Sequence, residues 1–406
     1  MLAHTQPYSN TMCTNLSRKK LSLLIIHYGS ISRIDGTSER IFQIAKGLGN
    51  LGVNVTIANT VQYSFKIKNS INNIHNIKAP KKSNILSIIN WMIEIFTISI
   101  RFRRYDVIQI EGFSVLWSLF LYFFLWPFGK KFIIVFHDKY WEHHPKKGIY
   151  SRFELVIQRI ILHIFDVLIT PGLSIKNWFV SLHGEQFHKK IIVIPNGVPI
   201  LNINDNFFSR SLYLRKKLGI DPDSYIACFF GSMTFKPNYD TAIYLYKISN
   251  NISNLFKEIT GKRLIFIIAG IGSKDLPTTD FFIPLGFIKN LEELFSLSDV
   301  IVLPHTPSYS GPHIKTIYSF LSCKPVIASK DAVKDMPGII QGKHFLLFDI
   351  NKPFTLVNAL EKLYYNKKLR IRITNNAQLY CKKFSWKNIA SLHFRLYAKL
   401  LNNEKD

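Results

Sequence analysis

The chain has 406 residues, room for two domains of ordinary size, and at 47% hydrophobic and 14% aromatic it is too apolar to be disordered. Its 52 Lys and Arg against 26 Asp and Glu leave a net charge of +26, which calls for an anionic partner such as nucleic acid, a phosphorylated ligand or an acidic membrane surface. Four scattered cysteines with no C-x-x-C pair argue against a disulfide or metal framework and fit a reducing compartment.

Arg18-Lys19-Lys20 followed by Leu21–Ile26 has the outline of a signal peptide. The apolar run is short, however, and His27, Arg33 and Asp35 follow it without a small-residue cleavage site. The pattern predicts a disordered tail over 1–19 and then a first strand covered on both faces. Within 38–51, Ile41, Ile44, Ala45 and Leu48 make a helical stripe, Gly52 closes it, and Val53–Ala58 reads as the next strand. A strand, a helix and a strand of this kind make a parallel pair, because the helical crossover brings the second strand back in the same direction. The alternation continues with Val107–Ile110, Phe132–Phe136, Val167–Ile169 and Ile191–Ile194, and breaks in a polar stretch around 201–211. It restarts with Ile226–Phe230, Leu264–Ala269, Val300–Leu303, Pro325–Ala328 and Phe345–Phe348. The fold class is therefore α/β, with two doubly wound, Rossmann-like halves. Ligands of such sheets bind outside the carboxyl ends of the strands, so the loops at 28–37, 137–148, 231–238, 270–274 and 304–313 are the candidates.

Two stretches of the first half are unusually apolar. Phe113–Phe128 has only Ser114 and Ser118 as polar residues, but its 16 residues fall short of the roughly 20 that span a bilayer. In 85–104 the polar residues Ser87, Asn90, Glu94, Thr97, Arg101 and Arg104 recur every three or four positions, along one side of a helix. A helix that only covers a sheet normally leaves a wide polar face, and these leave almost none. Attachment to an anionic membrane surface through 85–128 is the reading preferred over pure core.

The order of the pieces resembles the family 4 glycosyltransferases. GTSERIFQIAKGLGNLGVNV (36–55) is similar to their opening helix, VFHD (135–138) to their fifth-strand loop, and FDVLITPG (165–172) with KIIVIPNGV (190–198) to the end of their first domain. FFGSMTFKPNYDTA (229–242), GFIKNLEELFSLSDVIVLP (286–304) and GPHIKTIYSFLSCKPVIAS (311–329) resemble the segments that build their nucleotide pocket, and FSWKNIA (384–390) their closing helix. The resemblance spans roughly residues 20–400. It implies the GT-B fold, two Rossmann-like domains facing each other across a cleft. An acceptor-binding domain would run over 20–200, a nucleotide-sugar-binding domain over 201–385, and a helix over 386–406 would pack back toward the first domain.

The same resemblance implies site residues. His137 and Lys315 are the candidate catalytic residues. Lys315 would reach a diphosphate at a helix N-terminus, where backbone N–H groups already favour an anion. His137 would bond a sugar hydroxyl or orient the acceptor. Gly231, Ser232, Lys236, Ser310, Gly311, Ile314 and Tyr318 are the candidate donor-binding residues. Gly36, Thr37 and Asp138 belong to the acceptor and phosphate loops. Three departures stand out. Ser232 replaces the family's usual arginine, Thr37 its second glycine, and Ser310 and Tyr318 occupy the places of two glutamates, the later of which usually holds the ribose. No metal or other cofactor is expected, since protein cations and helix ends stabilise the leaving diphosphate.

The function this implies is a hexosyltransferase-type transferase. It would move a sugar from a nucleotide-sugar donor to a lipid-linked or cell-surface glycan, with retention, on the cytoplasmic inner face of a membrane. A catalytically silent GT-B scaffold for glycan assembly is the alternative. Nucleic acid is not an expected partner, because no recognised motif accompanies the charge.

Overall fold

Ser22–His27 (β1), Asn54–Asn59 (β2), Tyr105–Gly112 (β3), Gly129–Phe136 (β4), Val167–Thr170 (β5) and Ile191–Val193 (β6) form one sheet in the order β2-β1-β3-β4-β5-β6, every pair parallel. This computed structural model describes residues 21–27, 36–59, 105–112, 115–137, 149–198, 207–306 and 314–402, together with Ile89, Asn90, Ile93, Phe96 and Thr97. The expected tail over 1–19 and most of the 85–104 stretch lie outside the described residues. The strands are apolar on both faces because helices lie on both: Gly36–Asn50 (α1), Val115–Leu125 (α2), Ile149–Ile164 (α3) and Leu173–His183 (α4).

The second sheet has the order β12-β11-β10-β7-β8-β9 and is also parallel throughout. Its strands are Tyr225–Phe230 (β7), Leu264–Ala269 (β8), Phe282–Gly286 (β9), Val300–Leu303 (β10), Val326–Ala328 (β11) and Leu346–Leu347 (β12). Around it lie Phe207–Lys217 (α5), Lys236–Thr260 (α6), Leu291–Leu297 (α7), Ile314–Leu321 (α8), Lys330–Val333 (α9), Phe354–Tyr365 (α10) and Lys367–Cys381 (α11). β9 is absent from the sequence reading. Pro284 sits inside it and argues against a strand, yet β9 is an edge, where a missing N–H breaks no ladder.

Trp386–Asn402 (α12) follows the second domain in sequence but packs on α1 of the first. The two helices cross at Gly47, where an added Cβ would fall 2.4 Å from Ala390 Cβ. Trp386, Ile389, Ala390 and Tyr397 join one buried cluster with Leu23, Ile25, Ile41 and Ile44. On the other side the domains are tied by Asp335, which accepts from Ser174 N at 2.7 Å and from Ser174 Oγ at 2.6 Å.

The apolar run at 113–128 is α2 with a short 3-10 turn over Trp126–Phe128. It buries Val115, Ser118, Leu121 and Leu125 against the sheet. Phe120, Phe123 and Trp126 are 51%, 64% and 66% exposed. Trp117 and Phe124, which look equally outward in the sequence, are half-buried, and Phe124 packs on Phe96 with ring centroids 4.9 Å apart. Among the described residues no helix is long and apolar enough to cross a membrane.

Candidate functional site

The order of the second sheet reverses between β7 and β10, so the connections from these two strands leave in opposite directions and open a crevice at their carboxyl ends. Gly231 follows β7 there. Its N–H donates to Ala269 O at 2.9 Å, and its carbonyl runs so close to Gly270 that a Cβ on Gly270 would meet Gly231 O at 1.8 Å. Only glycine fits at 270, whose φ of +139° side chains also avoid.

Gly231 is a glycine for a second reason. A Cβ on it would stand 2.8 Å from Asn238 Nδ2 and 2.9 Å from Lys315 Nζ. Lys315 is the second residue of α8. Part of its surface is open, but its ammonium is enclosed. The ammonium donates to Asn238 Oδ1 and lies 4.8 Å from the centre of the Phe229 ring. Asn238 is turned this way because its Nδ2 donates to Ser232 O at 2.8 Å. Burial pushes the Lys315 amine down to about 7, with no carboxylate among the described residues to restore it. An amine held in that state gains most from an arriving anion.

The first sheet offers a second centre at the ends of β3 and β4. His137 Nε2 lies 2.7 Å from Glu111 Oε2, with the Glu111 side chain fully buried and that of His137 12% exposed. Burial alone would raise the Glu111 carboxyl. The hydrogen bond and charge of His137, the charge of Arg40 and the Gln109 amide overrule it, and the carboxyl falls to about 2.

The other candidates divide. Ile314 opens α8, half-buried against the second core. Ser232 is partly exposed, its hydroxyl 2.7 Å from Thr234 Oγ1. Lys236 opens α6 with its ammonium 2.9 Å from both oxygens of Asp240, one turn along. Tyr318 is half-buried, and its phenol is pushed up to about 12, first by burial and then by Glu39 of α1 and Glu292 of α7. Two carboxylates from other elements thus act on the Tyr318 phenol through their charge. Gly36 and Thr37 open α1. Asp138, Ser310 and Gly311 lie outside the described residues. Among the described residues no three His, Cys, Asp or Glu side chains are grouped to hold a metal ion.

Asn238, Glu111 and Arg40 escape the sequence reading. For Glu111 a signal exists: Gln109 and Glu111 alternate on one face of β3 with Tyr105 and Val107, and both are buried. A polar pair at that spacing in a doubly covered sheet needs partners of its own.

Residues 34–200 match the model of Glycosyltransferase Family 4. No curated protein sequence matches the chain. Among solved structures, a glycosyltransferase from Rickettsia africae ESF-5 is similar over 95% of this chain and 99% of its own, at 18% identity and a TM-score of 0.69. Anabaena Alr3699/HepE in complex with UDP and glucose is similar over 93% and 99%, at 16% identity and a TM-score of 0.66. WaaG, a glycosyltransferase involved in lipopolysaccharide biosynthesis, is similar over 94% and 99%, at 12% identity and a TM-score of 0.58. The paired Rossmann-like sheets and these likenesses show the GT-B fold, and the match to the family 4 glycosyltransferase model extends over residues 34–200.

Proposed function

We propose that the protein transfers a sugar from a nucleotide-sugar donor to a glycan acceptor, with the donor diphosphate at Lys315 and the reacting sugar toward His137. The observation that carries this reading is the enclosed ammonium of Lys315, which among the described residues faces an amide oxygen, a glycine and an aromatic ring at the switch point of the second sheet. A uridine diphosphate donor is the first choice, because HepE is described with UDP and UDP-glucose. Lys315 and the start of α8 would take the charge of the leaving diphosphate without a metal ion, so chelator should leave the rate unchanged. Retention follows if that diphosphate itself accepts the acceptor's proton. Purified protein with membranes and a panel of nucleotide sugars should release nucleoside diphosphate above background. Tyr318 in place of a ribose-binding glutamate favours the second reading, a silent scaffold. Diphosphate bound without any turnover would select it.

The acceptor is lipid-linked or part of a cell-surface glycan, and the protein works as a peripheral protein on the cytoplasmic inner face of a membrane. Support comes from the apolar surface of the first domain. Phe120, Phe123 and Trp126 of the α2 segment are exposed beside Phe153, Val156 and Ile160 of α3, which packs against α2, and Arg159 adds positive charge. Replacing Phe120, Phe123 and Trp126 together by serine should lower the partition to anionic vesicles about a hundredfold or more, since each such side chain gains about 1.5–3 kcal/mol on burial. The melting temperature should hold. Phe124→Ser, by contrast, should lower the melting temperature, because Phe124 packs on Phe96. Equal vesicle binding by parent and triple variant in a sedimentation assay would remove the membrane from the reading.

A further inference from the structure

Behind His137 a chain of buried polar groups runs across the first sheet to the last helix, and the direction of each hydrogen bond can be worked out. Glu111, ionised, can only accept. It therefore takes the His137 Nε2–H at one oxygen, 2.7 Å away, and the Gln109 Nε2–H at the other, 2.5 Å away. Gln109 Oε1 is then the acceptor for the Tyr397 hydroxyl at 2.6 Å. The Tyr397 hydrogen is spent on that bond, so its oxygen accepts from His393 Nδ1–H at 3.1 Å. His393 Nε2, left with its lone pair, faces Arg40 Nη2 at 3.5 Å. Burial and then the charge of Arg40 keep His393 neutral, with its imidazole down at about 3, as this assignment requires. Every donor from Arg40 onward points toward Glu111, and Arg40, Gln109, Glu111, His393 and Tyr397 are all buried.

The geometry points to Glu111 as a positioning residue that holds His137 as the Nε2–H tautomer, so that Nδ1 is the ring nitrogen offered to a hydroxyl of the substrates. Two elements far apart in sequence fix one proton: β3 supplies Glu111 and Gln109, and α12 supplies Tyr397 and His393. A carboxylate can do this in both charge states of the imidazole, because Nε2 keeps its hydrogen in each. The rate consequence rests on the transferase reading, but the tautomer does not and is measured separately.

The test is imidazole ¹⁵N NMR of the full chain, with Glu111→Gln as the variant. The parent should show His137 with hydrogen on Nε2. In Glu111→Gln the amide oxygen can serve Gln109 while its NH₂ faces His137, which should turn the ring to the Nδ1–H tautomer. Transfer should then fall about a hundredfold in kcat/KM, the scale of a mispositioned acid–base group. If transfer to acceptor slows while donor hydrolysis without acceptor is unchanged, Nδ1 serves the acceptor hydroxyl. If both slow together, it serves a donor hydroxyl. A parent His137 carrying its hydrogen on Nδ1 overturns the assignment, whether or not the variant folds. So does a folded Glu111→Gln with the parent's tautomer and rate.

Discussion

Replacing Lys315 by methionine is expected to weaken nucleoside diphosphate binding by about 1.5–3 kcal/mol, roughly 10- to 150-fold in Kd, without loss of folded stability at neutral pH. The two effects have one origin. The ammonium is enclosed by Asn238, Gly231 and Phe229 with no counter-charge among the described residues, so the unliganded fold bears its desolvation. The sign of the pH dependence follows. In the unfolded chain the amine has its ordinary value of 10.5, and in the folded protein about 7. Between these two values the unfolded state holds the extra proton, so this group makes stability rise with pH over that window, and its penalty is complete below about pH 7. Subtracting urea-unfolding curves of Lys315→Met from those of the parent should show this rise in the parent alone. A diphosphate beside the amine restores its proton. At pH 8 the parent should therefore take up a proton on binding, visible by calorimetry in buffers of different ionisation enthalpy, and the variant should not. Affinity of the parent should fall as pH climbs above 7. If methionine leaves affinity and proton uptake unchanged, Lys315 does not meet the diphosphate.

Arg40→Met should lower stability by about 3–5 kcal/mol, the usual loss when one partner of a buried charge pair is removed. Arg40 is fully buried and holds the connection between the domains. Its Nη1 donates to Pro195 O at 3.0 Å and to Asn196 Oδ1 at 2.8 Å, and its Nη2 to Ile194 O at 3.3 Å. Its charge also helps to keep buried Glu111 ionised. Methionine fills the space but strands three acceptors and a carboxylate together. Lysine keeps the charge and loses the planar fork, so Arg40→Lys should fall between parent and Arg40→Met. Urea titration followed by tryptophan fluorescence measures both. An Arg40→Met variant that unfolds with the parent would show that the buried chain contributes nothing to the fold.

Most strands were legible because a parallel sheet covered on both faces leaves runs such as Leu264–Ala269 with no polar residue at all. The same rule hid β9, where Pro284 lies in an edge strand. It also hid which side of α2 faces out, since a segment apolar all round carries no periodic signal, and Trp117 and Phe124 looked as outward as Phe120. At the site, Lys315 and His137 stood out because the segments that carry them, GPHIKTIYSF and VFHD, resemble those of a known family in a readable order. Their partners did not. Asn238 reaches Lys315 across 77 positions, and Tyr397 reaches Gln109 across 288. Spacing within one element cannot report a contact that only the closed fold creates. Lys236 shows the converse: a cation in the expected loop, taken up by its own helix neighbour Asp240.

The return of α12 to the first domain sets an order of assembly on the ribosome. The first domain is translated first, yet the core on the α1 side of its sheet stays open until Trp386, Ile389, Ala390 and Tyr397 emerge, after the entire second domain. The second domain gathers its own cluster from residues up to Phe384 and can close earlier. The domain made first is thus sealed last, and until then Arg40, Gln109 and the apolar face of α1 face solvent or a chaperone. A premature stop just before Trp386 would spare the second domain and leave the first without its final wall.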